Sequence, residues 1–320
     1  MTNFPGCFES RKLVSARRRN QHARRVRYPD GEGIPNQERS GLIIGVLKTK
    51  RGFQNSHRQL LLAVARKVAA GCYIPSMSKR TSISDRLVRA AAELRDAANK
   101  LKFASPVAFA YNPIEYAWLA HEAYIRRYAA TSKRVVFLGM NPGPFGMAQT
   151  GVPFGEIAAV RDWLCIAAPI GKPPREHPKR LITGFASPRT EISGQRLWRL
   201  FAERFVTADK FCASHFVLNY CPLAFLEASG ANRTPDKLPA AERSALFRVC
   251  DQHLREVIAA LNPKWLIGIG DFAMKRALHV FPDNVPKVGR ILHPSPASPA
   301  ANRDWAGAVT GELQRLGVWR

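Results

Sequence analysis

Three polar residues of the chain stand where apolar, strand-like segments end, and they are the first candidates for chemistry. Asn141 and His293 each follow such a run, and Asn219 ends another. The carboxyl ends of parallel strands meet at one edge of an open α/β sheet, where such sheets bind ligands. The spacing therefore predicts that two amides and one imidazole converge on a single cleft.

The side chains available in this cleft limit the reactions that it could perform. Its three loops carry no carboxylate near the asparagines or the histidine, and the chain has no nucleophile elbow, phosphate loop or metal-ligand spacing. Acyl transfer, nucleotide hydrolysis and metal-assisted hydrolysis therefore lack their usual groups. An amide can position a water molecule, and a histidine N–H can stabilise a departing anion. Cleavage through an oxocarbenium-like state suits that set.

Each of these residues also has a purely structural interpretation. Asn141 and His293 precede prolines, as residues in turns and rigid connectors often do, and Asn219 could cap a turn at a strand end. Their common position at one sheet edge favours the functional interpretation for the set as a whole.

The loop that carries Asn141 is a long, shaped segment. Residues 139–155 contain five glycines and three prolines, which forbid the continuation of a strand or a helix. Apolar residues at helical spacing follow over 156–166. The predicted order is therefore strand, loop and helix.

The rest of the chain supplies the elements that position these loops. Ser82 and Asp85 resemble a capping box and open the first convincing amphipathic helix. Apolar periodicity predicts helices over 84–101, 114–128, 156–166, 192–205, 239–261, 271–280 and 300–316, and strands over 134–138, 214–218, 265–269 and 288–292. This alternation predicts an α/β fold, a single domain with a central four-stranded, mostly parallel sheet and helices on both faces.

The charge of the chain points to a polyanionic partner. The formal net charge is +25, with a pI near 10.5. A protein with such a field binds nucleic acid readily, and DNA is the partner that we consider first. A host whose proteins are basic in general is the competing explanation.

Half of this charge lies in a basic extension, residues 1–80, which we separate from the domain at 81–320. The extension has Arg-rich runs and little periodicity, as in a disordered arm that contacts nucleic acid. Alternatively, Met77 is the natural start and residues 1–76 come from a misplaced start codon. A targeting peptide is a third interpretation, which the acidic residues of the segment disfavour.

The cysteines and the hydropathy indicate an intracellular protein. The six cysteines form no C-x-x-C pair and are expected to be reduced thiols, two of them within helical patterns at Cys165 and Cys250. No apolar run is long enough to span a membrane. We expect a cytoplasmic, nucleoid-associated protein if the source is bacterial and a nuclear one if it is eukaryotic.

Three motifs resemble the single-strand-selective monofunctional uracil-DNA glycosylases of the uracil-DNA glycosylase superfamily. They are the block 139–155 (GMNPGPFGMAQTGVPFG), the stretches NYCPL at 219–223 and ASGANRTP at 228–235, and HPSPxxPxAN at 293–302. Shorter matches are VRDW at 160–163, EHPKR at 176–180 and SGxR at 193–196. The similarity runs from about residue 110 to 318 and leaves out everything before residue 80.

The resemblance implies a role for each matching position. Asn141 would position the attacking water at the sugar, and His293 would stabilise the charge that grows on the uracil base. Asn219 would bind the pyrimidine edge, and Phe154 would stack on the flipped base.

The base would also need space beside its C5 atom, and the resemblance implies that Gly143 and Met147 line it. That space fits uracil and C5-oxidised uracils such as 5-hydroxymethyluracil. No cofactor and no metal is implied, and the missing four-cysteine cluster argues against the iron–sulfur branches of the superfamily.

One departure concerns the wedge that enters DNA after the catalytic histidine. Animal members carry an arginine and an asparagine where this chain has Ala297 and Ser298. We expect these two residues, Ser295 and Arg303 to contact DNA, with Arg303 and Arg290 near enough in sequence to compensate for the smaller wedge.

The predicted function is hydrolysis of the N-glycosidic bond of uracil and C5-oxidised uracils in DNA during base excision repair. The enzyme would be a monomer that acts on single-stranded and duplex DNA and binds no membrane. Two alternatives stay open: an inert damage-binding module of the same fold, and a glycosylase shifted towards hypoxanthine or xanthine.

Overall fold

The computed structural model describes residues 81–320. The predicted basic extension over residues 1–80, and the alternative start at Met77 within it, lie outside the described residues, so both stay predictions.

The described chain alternates helices and strands. Its α-helices are α1 (Ile83–Asn99), α2 (Pro113–Tyr116), α3 (Trp118–Tyr128), α4 (Met147–Thr150), α5 (Ile192–Phe205), α6 (Ala208–Cys212), α7 (Ala240–Leu261), α8 (Asp271–Val280) and α9 (Pro299–Arg315). Its strands are β1 (Val107–Tyr111), β2 (Val135–Gly139), β3 (His215–Asn219), β4 (Ala224–Glu227), β5 (Asn232–Arg233), β6 (Trp265–Ile269) and β7 (Lys287–Ile291). No helix of residues 81–320 is long and apolar enough to cross a membrane.

The central sheet has four parallel strands in the order β3-β2-β6-β7. Every residue of β2 and β3 is buried, because helices cover both faces of a parallel sheet. This confirms the predicted α/β fold with a four-stranded parallel sheet.

A second sheet was not predicted. Strands β1, β4 and β5 form a separate antiparallel sheet in that order. Its strands are short, and they lie in segments with prolines and glycines at either side, such as Pro106, Pro222 and Gly230. Residues of this kind argue against strands when the sequence is considered locally.

The helix predicted over 156–166 has an unusual form. Residues Ala159–Trp163 form a π-helix, and Leu164 N donates to Ala159 O over 2.8 Å. The wider turn keeps Val160 and Trp163 in the core. The predicted apolar face is therefore present on a helix that is wider than an α-helix.

The start of α1 confirms the predicted cap. Asp85 N donates to the Ser82 hydroxyl over 3.1 Å, which satisfies one of the free N–H groups of the first turn. Cys212, Cys221 and Cys250 are buried and not in disulfides, as expected for reduced core thiols. Cys165 is disulfide-bonded, so the expectation of a reduced thiol is wrong at that position.

Candidate active site

The register of the central sheet places Asn219 beside Gly139. These residues are the last of β3 and β2, and they are paired across the two strands. A side-chain carbon at Gly139 would collide with both the Asn219 amide oxygen and the ring of Phe154. Glycine at this position therefore lets the amide and the ring approach over the end of β2.

Asn141 is held by backbone carbonyl groups. Its Nδ2 donates to Leu223 O over 3.1 Å and to Pro142 O over 3.4 Å. No described group donates to its side-chain oxygen, so that oxygen can accept a hydrogen bond from a water molecule. The contact with Leu223 also ties the loop after β2 to the segment after β3.

His293 reaches the same place from a more distant strand. Because β6 lies between β2 and β7, the residues after β7 must pass the end of β6. Gly270, at that end, has φ +88°, and a side-chain carbon there would lie 3.1 Å from His293 Cβ. Burial lowers the pKa of His293 below its usual value of 6.5, so the imidazole is neutral at neutral pH and has one N–H to donate.

Arg196 supports the loop that carries His293. Its guanidinium group donates to Pro294 O over 3.2 Å and to Asn302 Oδ1 over 2.9 Å. Asn302 in turn donates to Pro296 O over 2.8 Å. One arginine of α5 therefore connects both ends of the turn between β7 and α9.

Phe154 occupies a strained backbone position. Its φ of +52° lies in the left-handed region, which costs on the order of 1–3 kcal/mol for a residue with a side chain. Trp198 Nε1 donates to the Phe154 carbonyl over 2.9 Å and holds this conformation. The Phe154 ring centroid lies 6.3 Å from that of His293.

These residues surround one cavity of about 320 Å³. Its lining comprises Met140, Asn141, Pro142, Gly143, Phe154, Glu191, Ser193, Asn219, Asn232, Thr234, His293 and Ser295. The structure thus brings together six of the predicted site residues: Asn141, Gly143, Phe154, Asn219, His293 and Ser295.

Four predicted residues do not line this cavity. Met147 is buried in α4 behind Asn219, and its sulfur accepts from Asn219 Nδ2 at 3.3 Å. The Ser298 hydroxyl caps α9, while Ala297 and Arg303 are exposed on the same turn and helix. Met147 therefore orients the amide and does not form the cavity wall.

Arg290 was expected to help Arg303 replace the missing wedge arginine. It instead lies 3.4 Å from Asp271 Oδ1 and 3.5 Å from Glu312 Oε1. Two carboxylates thus balance its charge, which leaves Arg303 as the better candidate of the two.

The Asn219 amide has an unused acceptor. Its Oδ1 is buried and has no hydrogen-bond partner among the described residues, while Nδ2 has only the thioether of Met147. A buried acceptor without a partner costs roughly 1–3 kcal/mol, so it marks a place where a ligand donor can bind. The amide offers an acceptor and a donor side by side.

Glu191 is a cavity residue that the sequence did not reveal. It comes from the start of α5, outside the three loops, and its Oε2 is buried without a partner. The site therefore contains a carboxyl group after all. The neighbouring match SGxR at 193–196 was a signal for this segment, because Ser193 and Arg196 both take part in the site.

Two arginines and an aromatic ring come from segments that adjoin the cavity residues in the sequence. The guanidinium carbons of Arg180 and Arg189 lie 5.4 Å and 5.1 Å from the centre of the Phe145 ring. Phe145 is two residues beyond Gly143, and Arg189 is two residues before Glu191. We call Arg180, Phe145 and Arg189 the arginine pair on Phe145.

Comparison with known proteins agrees with this architecture. Residues 126–311 match the Uracil DNA glycosylase superfamily. The single-strand selective monofunctional uracil DNA glycosylase of Bos taurus is 42% identical over 251 residues, or 78% of this chain and 92% of the bovine protein. The Mus musculus protein of the same name is 46% identical over 222 residues, or 69% of this chain and 80% of the mouse protein.

A solved structure shares the fold. The crystal structure of wild-type Pedobacter heparinus SMUG2 matches with a TM-score of 0.51 and 16% sequence identity, covering 72% of this chain and 99% of that chain. With the identity of the mammalian relatives over most of the chain, the assignment is clear. The chain belongs to the single-strand-selective monofunctional uracil-DNA glycosylases, which are DNA glycosylases of base excision repair.

Proposed function

We propose that this enzyme hydrolyses the N-glycosidic bond of uracil and of C5-oxidised uracils such as 5-hydroxymethyluracil in DNA. The observation that supports this most is the common cavity of Asn141, Phe154, Asn219 and His293. It combines the flat ring of Phe154, an amide with an unpartnered oxygen at Asn219, a group that can position a water at Asn141 and a group that can stabilise a departing anion at His293.

The Asn219 amide suits the edge of a pyrimidine. Uracil presents an N3–H donor next to a carbonyl acceptor. The unpartnered Oδ1 of Asn219 and the second N–H of its Nδ2, whose other contact is Met147, match that pair. Met147 supports this orientation because a thioether sulfur can only accept a hydrogen bond from Nδ2. The Phe154 ring then offers a face on which the flipped base stacks.

The chemistry needs a positioned water and support for the leaving base. Asn141 presents its side-chain oxygen to a water that attacks the anomeric carbon of the deoxyribose. His293, neutral because of its lowered pKa, donates its N–H to the uracil O2 as negative charge develops there. The C–N bond breaks first, water adds to the sugar, and the water proton is released after the carbon–oxygen bond forms.

We attribute acceptance of C5-oxidised bases to the part of the cavity beside Gly143. This residue lines the cavity without a side chain, and a side-chain carbon there would lie 3.1 Å from Glu191 Oε1, so a C5 substituent would lie against the Gly143 backbone and not in the direction that Glu191 fills. Met147, buried behind Asn219, does not reduce that space.

Contacts outside the cavity would hold the DNA. The arginine pair on Phe145 lies in a segment with further cations at Lys172, Arg175 and Lys179. Neither Arg180 nor Arg189 is in a salt bridge with a described carboxylate, so both are available to phosphates. Ser295 and Arg303 are proposed to contact DNA on the His293 side.

The test is base excision from oligonucleotides that carry one uracil, 5-hydroxymethyluracil, hypoxanthine or xanthine, in single-stranded and duplex form. We expect excision of the two pyrimidines and intact abasic sites as products. Asn141→Ala and His293→Ala are each expected to lower the single-turnover rate by about a hundredfold or more, with little change in DNA binding.

Three other outcomes would change the assignment. Full activity in both variants would contradict the roles of Asn141 and His293. Excision of hypoxanthine or xanthine in preference to uracil would indicate a shifted substrate. Binding of damaged DNA without any excision would indicate an inert module.

A further inference from the structure

Glu191 contributes a carboxyl group to the cavity that the proposed mechanism leaves without a role. This group lies against the backbone of three glycines. A side-chain carbon at Gly143 would lie 3.1 Å from Oε1, one at Gly194 would lie 2.7 Å from Oε2, and one at Gly146 would collide with Oε2. The carboxyl group therefore fills the space that side chains at these positions would occupy.

The two carboxyl oxygens have different surroundings. Oε2 is fully buried and forms no well-aligned hydrogen bond among residues 81–320, although the Gly194 backbone N–H lies near the carboxyl group; Oε1 lies on the side of Gly143, which also lines the cavity. A buried, ionised oxygen with so little donor support is disfavoured. The position of Oε2 therefore favours a protonated carboxyl group.

Two arginines flank Glu191 in the sequence, but neither neutralises it. The Arg189 guanidinium lies over the Phe145 ring, and that of Arg196 is bound to the His293 loop. The carboxyl group thus lacks the cation that usually accompanies a buried carboxylate.

The other described groups around Glu191 supply no positive charge to it. Glu156 faces it from the turn before the π-helix, the loop 143–146 contains no titratable side chain, and His293 lines the same cavity. Burial and then the negative charge of Glu156 raise the pKa of Glu191 to about 7, although the Gly194 backbone N–H lowers it.

We propose that Glu191 is a positioning residue that acts in its protonated form and supports the loop 143–146, so that Asn141, two residues before this loop, stays directed into the cavity. Gln149 also holds this loop, since its Nε2 donates to Pro144 O over 3.0 Å. A neutral carboxyl group completes the support and adds no negative charge near the departing base. An ionised one would repel that base and separate from the loop. The inference rests on the proposed function, because the position of Asn141 is observed through base excision.

The test is single-turnover excision of uracil from a single-stranded oligonucleotide, with saturating enzyme, from about pH 6 to 9. The wild-type rate should fall as the pH rises through about 7, because the active, protonated form is then lost. Glu191→Gln, which mimics the neutral acid, should keep the rate within about threefold of the wild type at pH 6 and show no decline. Glu191→Ala should lose about tenfold or more at each pH, with an unchanged Kd for DNA.

Glu203→Gln is the matched control. Glu203 lies on α5 as well, is exposed, and pairs with Arg199 over 2.8 Å. This variant should reproduce the wild-type profile. A rate in Glu191→Gln as low as in Glu191→Ala would show that the negative charge is needed and would overturn the proposal. Wild-type activity in Glu191→Ala, or a decline that persists in Glu191→Gln, would also overturn it.

Thermal unfolding separates this inference from the proposed function. A carboxyl group with a raised pKa destabilises the fold as the pH rises from its ordinary value of 4.5 to about 7. The wild type should lose melting temperature over this range relative to Glu191→Gln. A wild type that excises no base would contradict the proposed function and the positioning role together, while the melting difference would still report the proton on Glu191.

Discussion

The two ends of strand β3 show how differently one segment can be used. At its amino end, the His215 ring stacks on Phe211 with centroids 5.0 Å apart and on Phe137 at 6.0 Å. At its carboxyl end, the amide of Asn219 faces the cavity with an unpartnered oxygen. Both residues are almost fully buried, at 2% and 6% exposure.

Burial alone therefore does not distinguish a site from a core. His215 is surrounded by rings; its Nδ1 interacts with Phe211 O at 3.1 Å, while its Nε2 is buried without a hydrogen-bond partner among the described residues. Asn219 is surrounded by a cavity, a glycine and a thioether, none of which satisfies its oxygen. Both ends therefore hold a buried polar atom without a partner, and the difference is what surrounds it: rings enclose the His215 nitrogen, whereas the Asn219 oxygen borders a cavity that a ligand can enter.

The largest expected effect is a loss of stability at the amino end of β3, where aromatic rings pack around His215. Phe211 is fully buried and stacks on Phe201 with centroids 4.2 Å apart. Phe211→Ala should lower the free energy of unfolding by about 3–5 kcal/mol, because it removes a large ring and leaves a cavity. Chemical denaturation measures this change. Leu278→Ala, at an exposed position, should cost no more than about 0.5 kcal/mol. Equal losses of unfolding free energy in both variants would contradict a stabilising role for the rings at the amino end of β3.

At the carboxyl end of β3, we expect a large loss of activity and a small loss of stability. Asn219→Ala should lower the single-turnover rate of uracil excision by about a hundredfold or more, roughly 2.7 kcal/mol, since it removes both groups that match the base edge. Its unfolding free energy should change by less than about 1 kcal/mol, because the amide makes only one weak contact to Met147. A large stability loss with normal excision would assign Asn219 to the core.

A third test uses the charge state of His215. Burial lowers the pKa of His215 from 6.5 to about 4. A histidine kept neutral in the folded state makes the protein lose stability as the pH falls from 6.5 towards 4, by about 2 kcal/mol at pH 5. His215→Phe keeps a stacked ring without this proton. Relative to the wild type, its unfolding free energy should rise as the pH falls from about 7 to 5. If the unfolding free energies of the wild type and His215→Phe changed in parallel with pH, the lowered pKa of His215 would be contradicted.

The smallest expected effect concerns the surface beside the cavity. Arg189→Gln should lower the slope of log Kd for DNA against log salt by about 1, because one phosphate contact is lost. Arg126→Gln is the control, since Asp85 and Glu122 already bind that guanidinium at 2.8 Å and 2.7 Å. Equal slopes in wild type and Arg189→Gln would exclude Arg189 from the DNA contact.

The central sheet could be predicted from the sequence because its signals are local. Each parallel strand is an apolar run, and Asn141, Asn219 and His293 stand where these runs end. The rule that parallel strands share a carboxyl edge then places the three residues together. The strands of the second sheet carry no such local signal, because prolines and glycines surround them.

The rest of the site depends on contacts between segments distant in sequence. Glu191 reaches the cavity only because α5 packs under the loop 143–146, and Arg196 reaches the His293 loop about a hundred residues later. Met147 is a residue that was predicted to line the cavity but does not. The resemblance placed it beside the base, whereas α4 turns its sulfur towards the back of Asn219. Periodicity and motifs do not determine such distances.

The strand order β3-β2-β6-β7 has a consequence for the timing of function. Asn141 lies beyond β2, but His293 arrives only after β7, which pairs with β6 alone among the strands of residues 81–320. A chain emerging from the ribosome can complete β2 and β3 long before this last strand exists. Base excision is therefore expected to begin only after β7 and His293 have been synthesised, so a product that stops before β7 would leave uracil in place.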